Sequence, residues 1–203
     1  MKKIRLVMLL LGMTVALTAC SSKTDLPKTL DKEGIAPYVL SEGEKYVLES
    51  FNLSGTSQII SFNAPSEATA LNVNVYRLEE ETWSRIGSGG ISIGTDAEPA
   101  DKLMGTFTMQ LRENYTIDFT INAGGLASYK TDGILLDNEI MASIKAFLLE
   151  FQDIEINTEI PVALMVYDSG TSLKSCSPQD YFDPSKFEGM DLVQAVTLEF
   201  SDQ

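Results

Sequence analysis

The chain holds two cysteines, Cys20 and Cys176, and no histidine among its 203 residues. A thiol works as a nucleophile only when a base or a neighbouring cation makes it a thiolate, and the sole basic residue near Cys176 is Lys174. Cys176 therefore reads as a structural free thiol. The missing imidazole also removes Ser-His-Asp and Cys-His catalysis, His-ligated zinc and His proton transfer at neutral pH. Gly90-Ile91-Ser92-Ile93-Gly94 matches the spelling of a hydrolase nucleophile elbow, but that motif needs a strand, a sharp turn, a helix and a histidine to activate the serine. Ser92 reads as an ordinary strand residue. Gly87-Ser88-Gly89-Gly90 leads into Ile91 with no Gly-Lys-Ser/Thr behind it, so it is not a phosphate loop.

Carboxylates and aromatics are the remaining tools. Asp96, Glu98 and Asp101 share a loop with Pro99 and are the candidate ligands for a structural calcium ion, which takes several oxygen donors in flexible geometry. They lack the twelve-residue pattern of an EF-hand, and solvated loop charges are their default explanation; no cofactor is required. A second acidic group, Asp132, Asp137 and Glu139, flanks another loop. Two carboxylates facing across a cleft could hydrolyse a glycoside without histidine. Trp83, the one tryptophan, follows the turn Glu79-Glu80-Glu81-Thr82 and lies opposite the strand carrying Tyr76. The pair is the candidate ligand platform, with cross-strand packing the plainer role for both rings.

The first twenty residues are the most specific. Lys2, Lys3 and Arg5 precede an apolar block from Leu6 to Leu17, then small residues. That is the layout of an export signal, and it is too short for a membrane span of about 20 apolar residues. Leu17-Thr18-Ala19-Cys20 resembles the lipobox of bacterial lipoproteins. The resemblance implies that residues 1–19 are a signal peptide cut before Cys20, that the Cys20 thiol receives a diacylglycerol, and that the new amino terminus is often acylated. Two or more acyl chains hold stably where one binds marginally. The implied location is the bacterial cell envelope, anchored by lipid on the extracytoplasmic face of a membrane.

Removing Lys2, Lys3 and Arg5 leaves 12 basic against 29 acidic residues, a net charge of −17. Such a domain disfavours nucleic acid and anionic head groups. Residues 20–37, with Pro27, Gly34 and Pro37, read as the lipidated cysteine and a tether, and 38–203 as one domain with a single core.

The elements that would position these groups alternate with period two. Tyr115, Ile117, Phe119 and Ile121 interleave with Thr116, Asp118 and Thr120, and similar patterns run over 46–53, 58–62, 71–78, 83–93, 103–111, 126–129, 160–167 and 192–200. Turn signals such as Ser54-Gly55, Asn63-Ala64-Pro65, Gly124-Gly125 and Asp168-Ser169-Gly170 separate them. The segment 138–151 fits a strand or a helix, with the strand favoured and Asp137 as the cap of the alternative. The fold class is all-β, an antiparallel β-sandwich, with room for one short helix. Its pattern is similar to jelly-roll sandwiches, including galactose-binding-like modules, and an immunoglobulin-like sandwich fits nearly as well.

These readings lead to a lipid-anchored, non-enzymatic binding module whose partner is a glycan, a peptide or an envelope protein. A structural or accessory envelope lipoprotein is the alternative, and a carboxylate-based glycoside hydrolase ranks behind both.

Overall fold

The computed structural model describes residues 30–94 and 102–202. They form ten strands in two five-stranded antiparallel sheets, the all-β sandwich that the alternating pattern implies. In chain order the strands are β1 (Gly34–Pro37), β2 (Ser57–Asn63), β3 (Ala70–Glu79), β4 (Thr82–Ser92), β5 (Met104–Leu111), β6 (Ile117–Asn122), β7 (Leu126–Lys130), β8 (Ala142–Phe147), β9 (Glu159–Asp168) and β10 (Leu192–Ser201). One sheet, here sheet A, has the order β1-β2-β5-β6-β7; sheet B has the order β4-β3-β10-β9-β8. The segment 138–151 contains the strand β8, as its alternation favours.

Alternation builds the core directly. Ile60 and Phe62 of β2, Phe107 and Met109 of β5, and Ile117, Phe119 and Ile121 of β6 face Val73, Val75, Met165, Val196, Leu198 and Phe200 of sheet B. Fully burying an aliphatic or aromatic side chain of this size contributes about 1.5–3 kcal/mol, so this interior is what holds the sheets together. Aromatic rings knit it further, Phe62 against Phe200 at 5.7 Å between centroids and Phe119 stacked on Tyr129 at 5.2 Å. β9 carries a bulge: Val196 pairs with Ala163 but Thr197 with Pro161. The slip reverses the facing of side chains along β9, so Ile160 and Val162 point inward while Leu164 and Val166 point out.

Two elements differ from the sequence reading. The span 46–53 was expected to be a strand, but Glu42–Ser50 is an α-helix, α1. Its cause is local: Ser41 caps the helix by accepting from the Glu44 N–H, and the Glu44 carboxylate returns to the Ser41 N–H at 2.7 Å. This reciprocal capping box satisfies two amides that a strand would have had to pair elsewhere. The tether read over 20–37 also ends too late. Gly34–Pro37 pairs with β2 as the edge strand of sheet A, with Ile35 fully buried, so the folded domain begins before residue 38. Gly34 has φ +148°, and a Cβ there would lie 2.2 Å from the Phe151 ring. The segment beyond β8 crosses here to sheet A, with Ile35 and Gln152 exchanging backbone hydrogen bonds of 2.9 Å.

The glycines of β4 let the sheets close at the opposite edge. A Cβ on Gly89 would meet the Tyr129 ring at 2.4 Å, and the Tyr129 hydroxyl donates to the Gly90 carbonyl at 2.6 Å. Gly89→Ala is expected to destabilise the domain by about 1–3 kcal/mol, the range for overpacking a filled interior. A urea melt of this variant coinciding with wild type would refute the close-approach account.

Candidate functional site

Sheet B brings Tyr76 and Trp83 together, and it does so around a residue that sequence reasoning missed. Glu159, at the outward-facing start of β9, accepts from the Tyr76 hydroxyl at 2.6 Å, Thr197 at 3.0 Å and Asn74 at 3.0 Å on one oxygen. Its other oxygen accepts from the Tyr181 hydroxyl at 2.7 Å. Trp83 stacks on Tyr181, with 5.0 Å between centroids and 27° between planes, and its indole N–H donates to the Tyr181 carbonyl at 2.9 Å. No spacing in the sequence links residues 76, 159, 181 and 197; the bulge and the β3-β10-β9 order bring them together.

The electrostatics suit a clamp. Burial pushes the Glu159 carboxyl up, but the hydrogen bonds from Tyr76, Tyr181, Thr197 and Asn74 together outweigh it and leave it below the ordinary range. Burial, and then the bond to Glu159, push the Tyr76 hydroxyl up to about 12, and the Tyr181 hydroxyl is raised for the same reasons. A general acid needs the opposite shift. The hub instead pins the segment 171–190 over sheet B. Beneath that segment Leu164, Val166, Val193, Ala195 and Phe187 form a second buried cluster, with Trp83, Tyr181 and Cys176 packed against it. Cys176 is half-buried, its thiol raised by burial and by the nearby Asp180. The Trp83 face turned to Tyr181 is thus occupied by the fold.

The other sequence candidates fall elsewhere. Ser92 lies within β4, paired with Ala70, and is exposed. A carboxylate not among those candidates, Asp191, bridges the turn beyond β9 by accepting from Asn138 at 2.6 Å and the Ser169 N–H at 2.6 Å, bonds that hold its carboxyl at about 2. Cys20, Asp96, Glu98 and Asp101 lie outside the described residues. Among the described residues no group of three or more Asp, Glu or Cys side chains is arranged to hold a metal ion.

Among the described residues, the outer face of sheet A has no covering segment comparable to 171–190. It carries an open groove of about 530 Å³ walled on one side by Leu48 of α1 and by Leu53. Register places its lining in two rungs across four strands: Ile59, Thr108, Thr120 and Ser128 in one, and Ser57, Gln110, Asp118 and Lys130 in the other. The Thr120 and Ser128 hydroxyls are 3.0 Å apart, and Arg112 donates through Nε to Asp118 Oδ2 at 2.8 Å. Arg112 is held by a tight turn in which Asn114 and Tyr115 both adopt positive φ, 54° and 57°. That conformation is uncommon for a tyrosine and is fixed by its surroundings. Tyr115 packs edge-on against Tyr167 at 4.8 Å, and its carbonyl accepts from the buried Gln194 amide at 3.0 Å.

No protein-family model, curated protein or solved structure matches the chain. The site therefore stands on its own geometry.

The hub makes a prediction with a definite sign. Because the folded Glu159 value lies below the unfolded one, its stabilisation is fully present above about pH 4.3 and is lost as pH falls through the folded value. Glu159→Gln is expected to lose on the order of 2 kcal/mol at pH 7 and to lose less than wild type on going from pH 7 to pH 3. Equal acid losses for the two proteins in urea denaturation would remove Glu159 from the acid limb.

Proposed function

We propose that this chain is an extracytoplasmic lipoprotein, anchored through Cys20, whose β-sandwich acts as a non-enzymatic binding module with the outer groove of sheet A as its ligand face. The observation that carries the reading is the asymmetry of the two outer faces. Sheet B spends its aromatic and carboxylate groups on holding its own cover, while sheet A leaves two rungs of hydrogen-bonding side chains facing solvent. Pockets for ligands are concave, largely preformed and supplied with a few placed polar groups, as this groove is. The half-buried carboxylate of the hub, Glu159, accepts four hydrogen bonds and is held below the ordinary carboxylate range, which favours a holding role over acid catalysis there.

The accessory reading keeps one observation of its own. Tyr46, Val47 and Phe51 of α1 and its C-terminal end are exposed apolar side chains on a helix with no buried residue, a surface of the kind that meets another protein.

Anchoring and binding are tested separately. Cys20→Ala is expected to move the protein from the membrane pellet to the soluble fraction while leaving its thermal melt unchanged; a variant that still sediments with membranes would sink the anchor. For the groove, Ser128→Trp places a bulky ring on an exposed rung position. It is expected to abolish binding of the full chain, in detergent micelles, to features of glycan and peptide arrays that capture wild type, whereas retained binding would move the ligand face elsewhere.

A further inference from the structure

We infer that the groove on sheet A takes a neutral, hydroxyl-rich chain, an extended glycan, held at its Arg112–Asp118 end. This rests on the groove being the ligand face and adds the chemistry of what fills it.

The groove lining holds two buried acceptors that no described residue meets, Gln58 Oε1 and Asp118 Oδ1, and of the two only Asp118 belongs to a rung of the open face. Asp118 Oδ2 is engaged by Arg112, but Asp118 Oδ1 is buried within its rung and accepts no hydrogen bond from any described residue. A buried carboxylate oxygen without a donor costs stability, and a native structure that keeps one calls for an explanation. Its rung neighbours are Gln110 and Lys130, long side chains that can swing aside. A ligand hydroxyl turned into Oδ1 would supply the missing donor. The same hydroxyl oxygen could then accept from Arg112, which spends only Nε–H on Asp118 and keeps four other N–H donors. One carboxylate and one guanidinium side by side thus match a group that both donates and accepts.

The next rung repeats that logic. Thr108, Thr120 and Ser128 are hydroxyls able to donate or accept, and either Thr120 or Ser128 can be the donor in their mutual bond. Ile59 and Leu48 give the groove an apolar end suited to the C–H face of a sugar ring. Strands lie about 4.8 Å apart, so four of them span roughly 14 Å, a length for about three pyranose units laid across the sheet. An anion would gain Lys130, but the Arg112 charge is already met by Asp118 and the free atom is itself an acceptor that would repel it. A cation would sit against Arg112 and Lys130. A peptide added as a strand needs a sheet edge, whereas this is a face whose central strands β5 and β6 are paired on both sides.

The test is calorimetric titration of the full chain in detergent micelles with neutral hexaoses (cello-, malto-, xylo- and chito-oligosaccharides), an oligogalacturonate and an extended polar peptide. At least one neutral hexaose is expected to bind, with Asp118→Asn weakening it on the order of tenfold or more and Ser128→Trp abolishing it, both variants melting like wild type. If only the oligogalacturonate or the peptide binds and Ser128→Trp abolishes that binding, the groove stands and the neutral glycan is wrong. If a hexaose binds and Ser128→Trp leaves it unchanged, the groove itself is the wrong site. No heat with any neutral hexaose at millimolar concentration also overturns the inference, as does an Asp118→Asn variant that binds as wild type does.

Discussion

Two sheets have four faces, and a chain of this length must decide what to do with each. The inner pair is settled by the hydrophobic effect: period-two alternation places Phe62, Phe107, Phe119, Phe200 and their aliphatic neighbours between the sheets. The outer pair is settled by the Glu159 hub. Four donors converge on one half-buried carboxylate, from β3, from β10 and from the turn carrying Tyr181, so the cover over sheet B is tied to three separate stretches of chain at once. Charge-assisted bonds of this kind are roughly twice as strong as neutral ones, and their directionality fixes the cover in a single pose. With 171–190 committed there, no comparable segment among the described residues lies over sheet A, and its outer face carries the open groove.

Much of the sandwich is legible in the sequence because strand periodicity is a local signal. The pattern over 117–121 and 192–200 needs no knowledge of partners, only the rule that one face is buried. The helix α1 was legible too, through Ser41-Glu42-Gly43-Glu44, but the alternation of Tyr46 and Leu48 competes with that signal and belongs to a helix with no buried residue. Edge strand β1 is four residues long and its only strong marker is the buried Ile35, so composition assigned it to the tether. The hub was legible only in part. Tyr76 and Trp83 stand out as aromatics, whereas Glu159 is one acidic residue among 29, and its role depends on a bulge in β9 that no residue type announces.

The groove shows the same division. Its rungs follow from register, and register follows from the turn lengths and the inward residues, so Thr108, Thr120, Gln110 and Asp118 could be placed on one face from alternation alone. What periodicity cannot supply is the pairing of Arg112 with Asp118. Arg112 lies just beyond β5, and its reach depends on the turn at Asn114 and Tyr115, two consecutive positive-φ residues held from the core side by Tyr167 and Gln194. Backbone strain of this sort persists only where the surrounding structure over-determines it. Here the anchors are inside the sandwich and the positioned group is outside, on the groove.

The acidic surface and the groove act on different scales. The net charge, −14 for the chain and −17 without Lys2, Lys3 and Arg5, is a long-range property that repels nucleic acid and anionic surfaces, but it is screened over about 8–10 Å in physiological salt. Within the groove, distances are a few ångströms and the local balance is opposite in sign, Arg112 and Lys130 against Asp118. Net acidity therefore sets which large bodies the domain avoids, and the rungs set which small groups it can hold. On the proposed reading, in which lipid at Cys20 carries the attachment, this net acidity opposes adsorption of the domain as a whole to an anionic envelope.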